Sequence, residues 1–542
     1  MNYRVGLICM VVWICVEARL VLPGWGVKRT LEQKKLRAVE FIQEQLELSN
    51  IPGIALTIVH GDKVLLNQGF GLKQYGNASS KVTENSMFQI GSVTKTMLTL
   101  GIGKLVDNQT LNWHDRVKQH LPWFELQDKY AENFTTIHDL LTMNTVFAEG
   151  DTEVAWLLGL VRTEQEAVRK LGKMPTQRSL RQGYEYSNIN FGILGAIIEE
   201  VTKQSWGTYL ENEIFKPLGM QHTFSSARTA SLVYPDDLTE GHFTCNNKVA
   251  GPYSLVTSPM TKLCALDSEV AAGSMVSSIH DMAIFARLLL NKGVVDGISL
   301  FKTPGIIDSM ITGQIINTMF IELGLSWGYQ FTPDGNSFAA GYGIDAVGYI
   351  MYNSRYYDKN GDTSSCATRT GFLPDHDLGI VLLSNARSFD IGSNTLRLSH
   401  IRTYLLGLFL DIPDIELDAT FHASALAADK QNPLVLCDPH FFGNETRTDK
   451  YKPTFQQMHE FQGIYESTVS KEFYGSINVT IQNEFLYLRY GVYEGRLYGI
   501  NNQTFEWAVT FAQPITWTLS FEYQNGLVYG MNWNGLSFSK SS

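Results

Sequence analysis

The segment Phe88-Gln-Ile-Gly-Ser-Val-Thr-Lys-Thr-Met-Leu-Thr-Leu100 constrains this chain more than any other stretch. Gly91 precedes a long apolar run, which predicts a buried helix that begins near Ser92. Lys95 follows Ser92 by three residues, so both side chains would share one face of the first helical turn. A serine hydroxyl needs a neighbouring base to become a nucleophile, and burial lowers the pKa of a lysine enough to supply one. The segment therefore predicts Ser92 as a nucleophile and Lys95 as its base.

The pattern Ser-x-x-Lys is not specific by itself, because it occurs again at Ser299 and Ser537. Ser537 lies in the C-terminal tail, and Ser299 precedes Pro304 without a long helix after it. The helical context therefore favours Ser92 among the three serines. A purely structural role for the pair is the alternative.

A second segment, Gly183 to Gly195, contains Tyr186-Ser187-Asn188 directly before another strongly apolar helical run. A tyrosine in that place can relay a proton to a leaving group, and an asparagine can bind a substrate carbonyl and orient the lysine. The alternative is an ordinary helix start with a packed tyrosine, because the Tyr-x-Asn pattern also occurs at Tyr75 and Tyr523.

The chain divides into a mixed region and a β-rich region. We predict a helix over residues 29–50, strands over 53–60 and 63–69, a helix over 189–203 and a buried strand over 378–385. Elements from both ends of this region would share one sheet, as in a layered α+β domain over residues 19–410. Residues 411–455 are rich in proline and polar residues and predict a linker. Short aromatic strands over 461–465, 476–482, 485–490, 505–511 and 516–523 predict a small barrel or sandwich within 456–542.

The N-terminus has the pattern of a secretory signal peptide over residues 1–18. Arg4 supplies the positive start, Gly6 to Val16 is too short an apolar stretch to span a bilayer, and Val16-Glu17-Ala18 suits a cleavage site. An uncleaved membrane anchor is the alternative. With 44% apolar and 18% charged residues the chain can bury a large core, and its net charge of −11 disfavours nucleic acid as a partner.

Two further features agree with secretion. The chain has six Asn-x-Ser/Thr glycosylation sequons, at Asn77, Asn108, Asn133, Asn444, Asn478 and Asn502. Four cysteines remain after removal of the signal peptide: Cys245, Cys264, Cys366 and Cys437. They allow three pairings, of which Cys245 with Cys264 is the most local, and buried free thiols are the alternative. Their spacing does not indicate a metal site.

Taken together, the motifs closely resemble the serine β-lactamase, penicillin-binding protein and D-Ala-D-Ala carboxypeptidase family, especially its class C and esterase-like branch. The resemblance covers about residues 30 to 410 and extends beyond the two motifs. It includes the stretches 136–142, 214–220, 272–281 and 323–329. It implies helices packed on an antiparallel sheet, with Ser92 as nucleophile, Lys95 as base, Tyr186 as proton relay and Asn188 as a substrate-binding residue. It implies neither a metal nor an organic cofactor.

The third motif of that family, a Lys-Thr-Gly or His-x-Gly on an inner strand, has an imperfect match at Lys359-Asn360-Gly361. Lys359 and Gly361 would then contact substrate. Asn360 replaces the usual hydroxyl residue, and Asp362 follows where the family often has a small residue, so that its charge would repel an oxyanion or a substrate carboxylate. A surface turn over residues 358–362 is the alternative that this composition suits.

The C-terminal region resembles the lipocalin-like β-domains that follow the catalytic domain in some relatives. Three functions remain open. The first is a secreted serine hydrolase that acts on a small acyl or peptide substrate, namely an ester, amide or lactam. The second is an extracellular matrix component, since gigasin-type shell-matrix proteins are similar in layout and an acidic chain suits adsorption. The third is a binding module without catalysis.

Overall fold

The computed structural model describes residues 28–150, 152–330, 338–435 and 437–541. The expected signal peptide, together with Cys9 and Cys15, lies outside the described residues. Over the described residues the chain forms an α+β domain and then a closed β-barrel. The predicted fold class, helices on an antiparallel sheet followed by a small barrel, is confirmed. No helix of the described ranges combines the length and the apolarity that a bilayer crossing requires.

The α+β domain is built on one sheet. Its strands are β1 (Gly53–His60), β2 (Lys63–Gly71), β3 (Ile315–Ile316), β4 (Ala339–Gly341), β5 (Ile344–Met351), β6 (Ser354–Asp358), β7 (Gly361–Asp362), β8 (Ala367–Leu373) and β9 (Leu378–Ser384). Within the described ranges they pair antiparallel in the order β3-β4-β5-β6-β8-β9-β1-β2, with β7 beside β8. Leu56 of β1 pairs with Leu382 of β9. The predicted sharing of one sheet by both ends of the domain is therefore confirmed.

Helices cover the sheet, and further short helices and minor strands lie elsewhere in the described chain. The helices discussed below are α1 (Leu31–Ser49), α2 (Val93–Asp107), α3 (Glu153–Leu157), α4 (Glu164–Arg169), α5 (Ile189–Thr202), α6 (Ile279–Leu290), α7 (Arg397–Phe409) and α8 (Asp414–Gln431). Shorter helices span Val117–His120, Lys129–Phe134, Ile137–Leu141, Trp206–Leu210, Lys216–Leu218, Ala227–Ser231, Ile306–Ile311, Thr318–Leu323, Gly392–Thr395, Pro439–Phe442, Phe455–Phe461 and Lys471–Tyr474. Minor strands span Met87–Gln89, Thr223–Phe224, Glu240–Cys245, Lys248–Ser254, Val276–Ser278, Val294–Val295, Ile298–Ser299 and Ala386–Ser388.

The sheet has an apolar core on each face, because successive side chains of a strand point to opposite sides. Ile54 and Leu56 of β1 lie in the core shared with α1 and α7, whereas Ala55 and Val59 lie in the opposite core with α2, α5 and α6. Helix α2 is buried along almost its whole length, which explains why its sequence is apolar on every side. Burial of α2 fixes its first turn, where Ser92 occupies the N-cap position.

The stretch 411–455 differs from the predicted linker. Pro413 occupies the N-cap position of α8, which continues for 18 residues and packs on α7. Proline suits the start of a helix because its fixed φ is already helical and its missing N–H would have no partner there. One of the prolines that suggested an extended connection, Pro413, therefore stands at the start of a helix that packs on the α+β domain instead.

The C-terminal barrel is closed by eight antiparallel strands within the described residues. They are β10 (Gly463–Ser467), β11 (Ser476–Gln482), β12 (Phe485–Tyr490), β13 (Tyr493–Gly499), β14 (Thr504–Trp507), β15 (Trp517–Gln524), β16 (Leu527–Trp533) and β17 (Leu536–Lys540). Buried aromatic side chains, among them Tyr490, Trp507 and Trp533, fill the interior, as eight strands enclose just enough space for side chains. The sequence interpretation missed β13 and β16, in which glycine interrupts the apolar alternation, and β17, which is only five residues long.

The cysteines pair differently from the most local choice. Cys245 forms a disulfide with Cys437, across a sequence separation of 192 residues, and the pairing of Cys245 with Cys264 is wrong. Cys264 and Cys366 are buried free thiols. The fold brings the segment after α8 beside the strand that ends at Cys245, so chain proximity did not indicate the partner.

Candidate active site

The structure brings Ser92 and Lys95 together at the first turn of α2. Lys95 Nζ lies 2.9 Å from Ser92 Oγ, and the Lys95 side chain is fully buried. Because the two residues are three positions apart on the helix, their side chains lie on the same face. The two other Ser-x-x-Lys matches lie elsewhere: Ser299 is in the minor strand Ile298–Ser299, and Ser537 is in β17 of the barrel.

Lys95 Nζ has two more contacts, both with neutral oxygens. It donates to Asn188 Oδ1 at 2.7 Å and to the Ala272 carbonyl at 2.8 Å. Burial lowers the pKa of Lys95 well below its ordinary value, and the positive charge of Lys359 lowers it further. An uncharged amine has two N–H bonds and one lone pair. With two oxygens accepting the N–H bonds, the lone pair is available for the Ser92 hydroxyl proton.

Tyr186 completes the contacts of the Ser92 hydroxyl. Its phenolic oxygen lies 2.6 Å from Ser92 Oγ, and Lys95 Nζ lies 4.9 Å from the ring centroid. Burial raises the pKa of Tyr186 well above its ordinary value, and the charge of Asp345 raises it further. Tyr186 is therefore held as a neutral phenol that can donate a proton or a hydrogen bond.

Asn188 lies at the N-cap position of α5 and is held at both ends of its amide. Its Oδ1 accepts from Lys95, and its Nδ2 donates to Glu153 Oε1 at 2.6 Å. Sequence reasoning missed Glu153, which follows no recognisable motif.

The segment Lys359-Asn360-Gly361 is buried and leads from the end of β6 into β7, so the interpretation as a surface turn is wrong. Lys359 Nζ lies 2.6 Å from Asp345 Oδ1 and 4.9 Å from the centroid of the Tyr186 ring. The segment therefore faces the same tyrosine as Lys95 does. Sequence reasoning did not find Asp345.

Gly361 allows β7 to run directly against the turn that carries the candidate nucleophile. A Cβ at position 361 would lie 2.0 Å from the Ile90 carbonyl oxygen and 3.0 Å from the Ser92 nitrogen. A Cβ at Gly91, whose φ is +53°, would lie 2.7 Å from the Asp362 nitrogen. The two glycines thus bring the backbone nitrogens of Ser92 and Asp362 close to each other.

The two departures from the family motif have partners of their own. Asn360 Oδ1 accepts a hydrogen bond from Arg402, so this side chain joins the segment to α7. Asp362 Oδ1 accepts from Arg369 Nη1 at 3.0 Å. Burial raises the pKa of Asp362, but Arg369 and Arg387 outweigh burial and hold it below its usual value. The expected repulsion by Asp362 is therefore reduced, because Arg369 balances its charge.

A fully buried ion pair anchors the end of β6. Arg402 Nη1 of α7 donates to Asp358 Oδ2 at 2.6 Å. The same carboxylate accepts hydrogen bonds from Tyr329 and Tyr356. Asp358 is adjacent to Lys359, so this cluster fixes the place where the third segment enters the site.

A cavity of about 190 Å³ opens beside Ser92. Its lining includes Ser92, Glu153, Asn188, Asp362, Arg387 and two residues of the barrel, Ala512 and Gln513. The backbone N–H of Ala512 donates to the Pro259 carbonyl at 3.0 Å, which holds that part of the barrel against the α+β domain. In the part of the chain that the structure describes, no group of three or more His, Cys, Asp or Glu side chains could hold a metal ion.

The chain is similar in sequence to known proteins. The chain is 25% identical over 350 residues to protein flp of Staphylococcus aureus, which covers 64% of this chain and 62% of that relative. It is 28% identical over 266 residues to an unguisins hydrolase of Aspergillus campestris, covering 47% of this chain and 46% of the relative. The chain thus spans less than two thirds of each of these relatives.

The octameric penicillin-binding protein homologue from Pyrococcus abyssi has a similar fold. The TM-score is 0.56 at 19% identity, over 93% of this chain and 99% of that one. The family model described as Beta-lactamase matches residues 38–399, which include the Ser92 turn, Tyr186, Asn188 and the Lys359 segment. With this match and the contacts among Ser92, Lys95 and Tyr186, the chain belongs to the β-lactamase family.

Proposed function

We propose that the protein is a secreted serine hydrolase that forms an acyl-enzyme with small ester, amide or lactam substrates. The observation that carries the proposal is the position of Ser92 Oγ, which lies 2.9 Å from Lys95 Nζ and 2.6 Å from Tyr186 OH. An activated serine needs a base that is uncharged at working pH, and burial among neutral oxygens favours that form of Lys95.

In the proposed reaction, Ser92 Oγ attacks the substrate carbonyl while its proton passes to Lys95. Tyr186 then delivers its proton to the leaving group and is reprotonated by Lys95; water next attacks the ester of Ser92, gives one proton back to Ser92 Oγ and releases the acid. The backbone N–H groups of Ser92 and Asp362 are the proposed donors to the oxyanion. Asn188, Lys359 and Gly361 are the proposed substrate-binding residues.

The cavity limits the size of the acyl group. Its volume of about 190 Å³ lies below the usual range for sites that bury drug-sized ligands. A small or extended acyl group therefore fits the proposal better than a bulky one.

Secretion is supported by two observations. All six sequon asparagines, at Asn77, Asn108, Asn133, Asn444, Asn478 and Asn502, are exposed and so accessible to glycan transfer. The Cys245–Cys437 disulfide suits an oxidising compartment. Unchanged gel mobility of the secreted chain after glycosidase treatment would contradict the glycoprotein prediction.

The test is covalent labelling of the secreted full chain with a fluorescent fluorophosphonate and a fluorescent penicillin, beside Ser92→Ala. We expect labelling of the wild-type chain that the variant loses, and the preferred probe begins to define the acyl group. Ser299→Ala is a matched control, because that serine lies in a minor strand away from α2. Absence of labelling in folded wild-type protein would overturn the hydrolase proposal and favour a matrix or binding role.

A further inference from the structure

A continuous series of contacts joins the barrel to Lys95. Lys95 Nζ donates to Asn188 Oδ1, and Asn188 Nδ2 donates to Glu153 Oε1. Glu153 begins α3, and Leu158 follows the last residue of that helix. Leu158 is fully buried in the hydrophobic core of the barrel, although it belongs to the α+β part of the chain. The helix that carries Glu153 is therefore held at its far end by the barrel.

The contact between α3 and the barrel is close and directional. The backbone N–H of Val492, in the turn between β12 and β13, donates to the Leu158 carbonyl at 2.9 Å. Gly491 in the same turn has a φ of +59°, and a Cβ there would lie 1.9 Å from the Leu158 oxygen. Only glycine lets this turn approach α3 so closely. The barrel thus contacts the end of α3 through its own backbone.

We propose that Glu153 is a positioning residue that fixes the Asn188 amide against Lys95, and that the barrel holds Glu153 in place through Leu158. The inference rests on the proposed hydrolase function and deepens it, because it assigns the barrel a part in ordering the catalytic base. Glu153 acts through Asn188, and its second oxygen accepts from the Thr152 backbone N–H at 3.1 Å. Both oxygens are therefore used to fix its orientation.

Several charged groups face Lys95 besides Glu153. They are Lys359, whose charge lowers the pKa of Lys95, and Asp345 and Glu164, whose charges raise it together with that of Glu153, against the dominant lowering effect of burial. Removing any one carboxylate should therefore lower the pKa of Lys95. A purely electrostatic role for Glu153 would be shared by other nearby carboxylates, whereas a positioning role would not.

Glu149 provides the matched control. It is exposed, and its charge interacts with that of Lys95, while the Asn188 amide is bound by Glu153. Glu153→Gln and Glu149→Gln both remove one negative charge near the base. A glutamine at 153 cannot accept from both the Asn188 and Thr152 N–H groups, because one of its two polar atoms is itself a donor.

The first experiment measures kcat and KM for a small chromogenic ester across pH, in the full chain and both variants. We expect Glu153→Gln to lower kcat about 10-fold or more with little change in KM, since small displacements of catalytic groups are costly. Glu149→Gln should keep kcat and move only the acid limb of the profile. Glu153→Asp should not restore kcat, because the shorter side chain cannot reach Asn188. Equal kcat values in Glu153→Gln and Glu149→Gln would overturn the inference.

The second experiment tests the role of the barrel. Gly491→Ala pushes the turn away from Leu158, whereas Gly526→Ala, with a φ of +80° in another barrel turn, meets nothing within 4 Å. Both substitutions impose the same left-handed strain, so only the contact with α3 differs. We expect Gly491→Ala to lower kcat as Glu153→Gln does. The double variant that combines Gly491→Ala with Glu153→Gln should be no slower than either single variant, because both substitutions break the same series of contacts from the barrel to Lys95.

The outcomes separate this inference from the function on which it rests. A wild-type chain without ester turnover overturns the proposed function, and the variants are then uninformative about rate. A wild-type chain with turnover, together with Gly491→Ala at the kcat of Gly526→Ala, overturns the role of the barrel. If Gly491→Ala does not fold, the Glu153 and Glu149 variants still decide the positioning role, since neither alters the barrel.

Discussion

The two buried lysines of the site have opposite surroundings. Lys95 belongs to the helix side of the site, which is formed by the starts of α2 and α5. It contacts the neutral oxygens of Ser92, Asn188 and Ala272. Lys359 belongs to the strand side, which is formed by β5, β6 and β7, and it contacts the Asp345 carboxylate at 2.6 Å. The difference decides what each lysine can do. A carboxylate stabilises the charged form of an amine, whereas a buried set of neutral acceptors leaves the uncharged form as the favoured one.

The same division extends to the neighbouring residues. The strand side also holds the ion pairs Asp358–Arg402 and Asp362–Arg369, each joining the strand to α7 or to β8. A buried charge is tolerated only when it is paired and hydrogen-bonded, so these pairs specify the position of the strand. The helix side thus provides the proton acceptor, Lys95, and the ion pairs of the strand side fix the position of the strand segment opposite it.

Substitution by arginine at each lysine should give the largest difference between the two sides. Arginine stays protonated at any working pH, so Lys95→Arg removes the base, and we expect labelling of Ser92 by the fluorophosphonate to slow by about 10³-fold. Lys359→Arg keeps the cation beside Asp345 and should lose less than about 10-fold. Second-order labelling rates measure both effects, with circular dichroism to establish folding. Equal losses in the two variants would contradict the division of roles.

Removal of Arg402 should have the next largest effect, on stability. Arg402→Ala leaves Asp358 buried without its cation, which costs about 3–5 kcal/mol in the free energy of unfolding. Arg397→Ala on the same helix removes a partly exposed arginine that binds Gln45 and Asn394, and its cost should be about 1 kcal/mol. Urea unfolding followed by tryptophan fluorescence compares the two. Similar midpoints for both variants would show that the buried pair does not anchor the strand.

Local patterns made the helix side predictable from sequence. Ser92 with Lys95, and Tyr186 with Asn188, each lie within four residues of one another at the start of a helix, so spacing alone places them together. The bounds of β1, β9 and α5 follow equally from apolar patterns. What these patterns did not reveal is how the two segments meet, which here comes from the resemblance to a family.

The strand side depends on contacts between distant segments, and the sequence did not disclose them. Lys359-Asn360-Gly361 has the composition of a surface turn, and its burial follows from Asp345 and Arg402, which lie 14 and 43 residues away from Lys359 along the chain. No sequence pattern marks Glu153, which gains its role only because the fold places it beside Asn188. The disulfide of Cys245 and the helix after Pro413 were missed for the same reason. Both depend on contacts with distant segments, which the neighbouring residues in the sequence do not indicate.

The smallest expected effect is a shift in pH dependence that links the two sides through Asp345. Burial and the charge of Lys359 lower the pKa of Lys95, and Asp345 opposes them; burial and Asp345 both raise the pKa of Tyr186. Uncharged Lys95 is populated above its pKa, and the neutral phenol is populated below that of Tyr186. Asp345→Asn should lower both pKa values, so the acid limb of the kcat/KM profile, which follows Lys95, moves to lower pH. Asp296→Asn removes an aspartate whose partner is Arg287, outside the site, and should leave the profile in place. A profile that stays fixed or moves to higher pH in Asp345→Asn would mean that the strand side does not tune the base electrostatically.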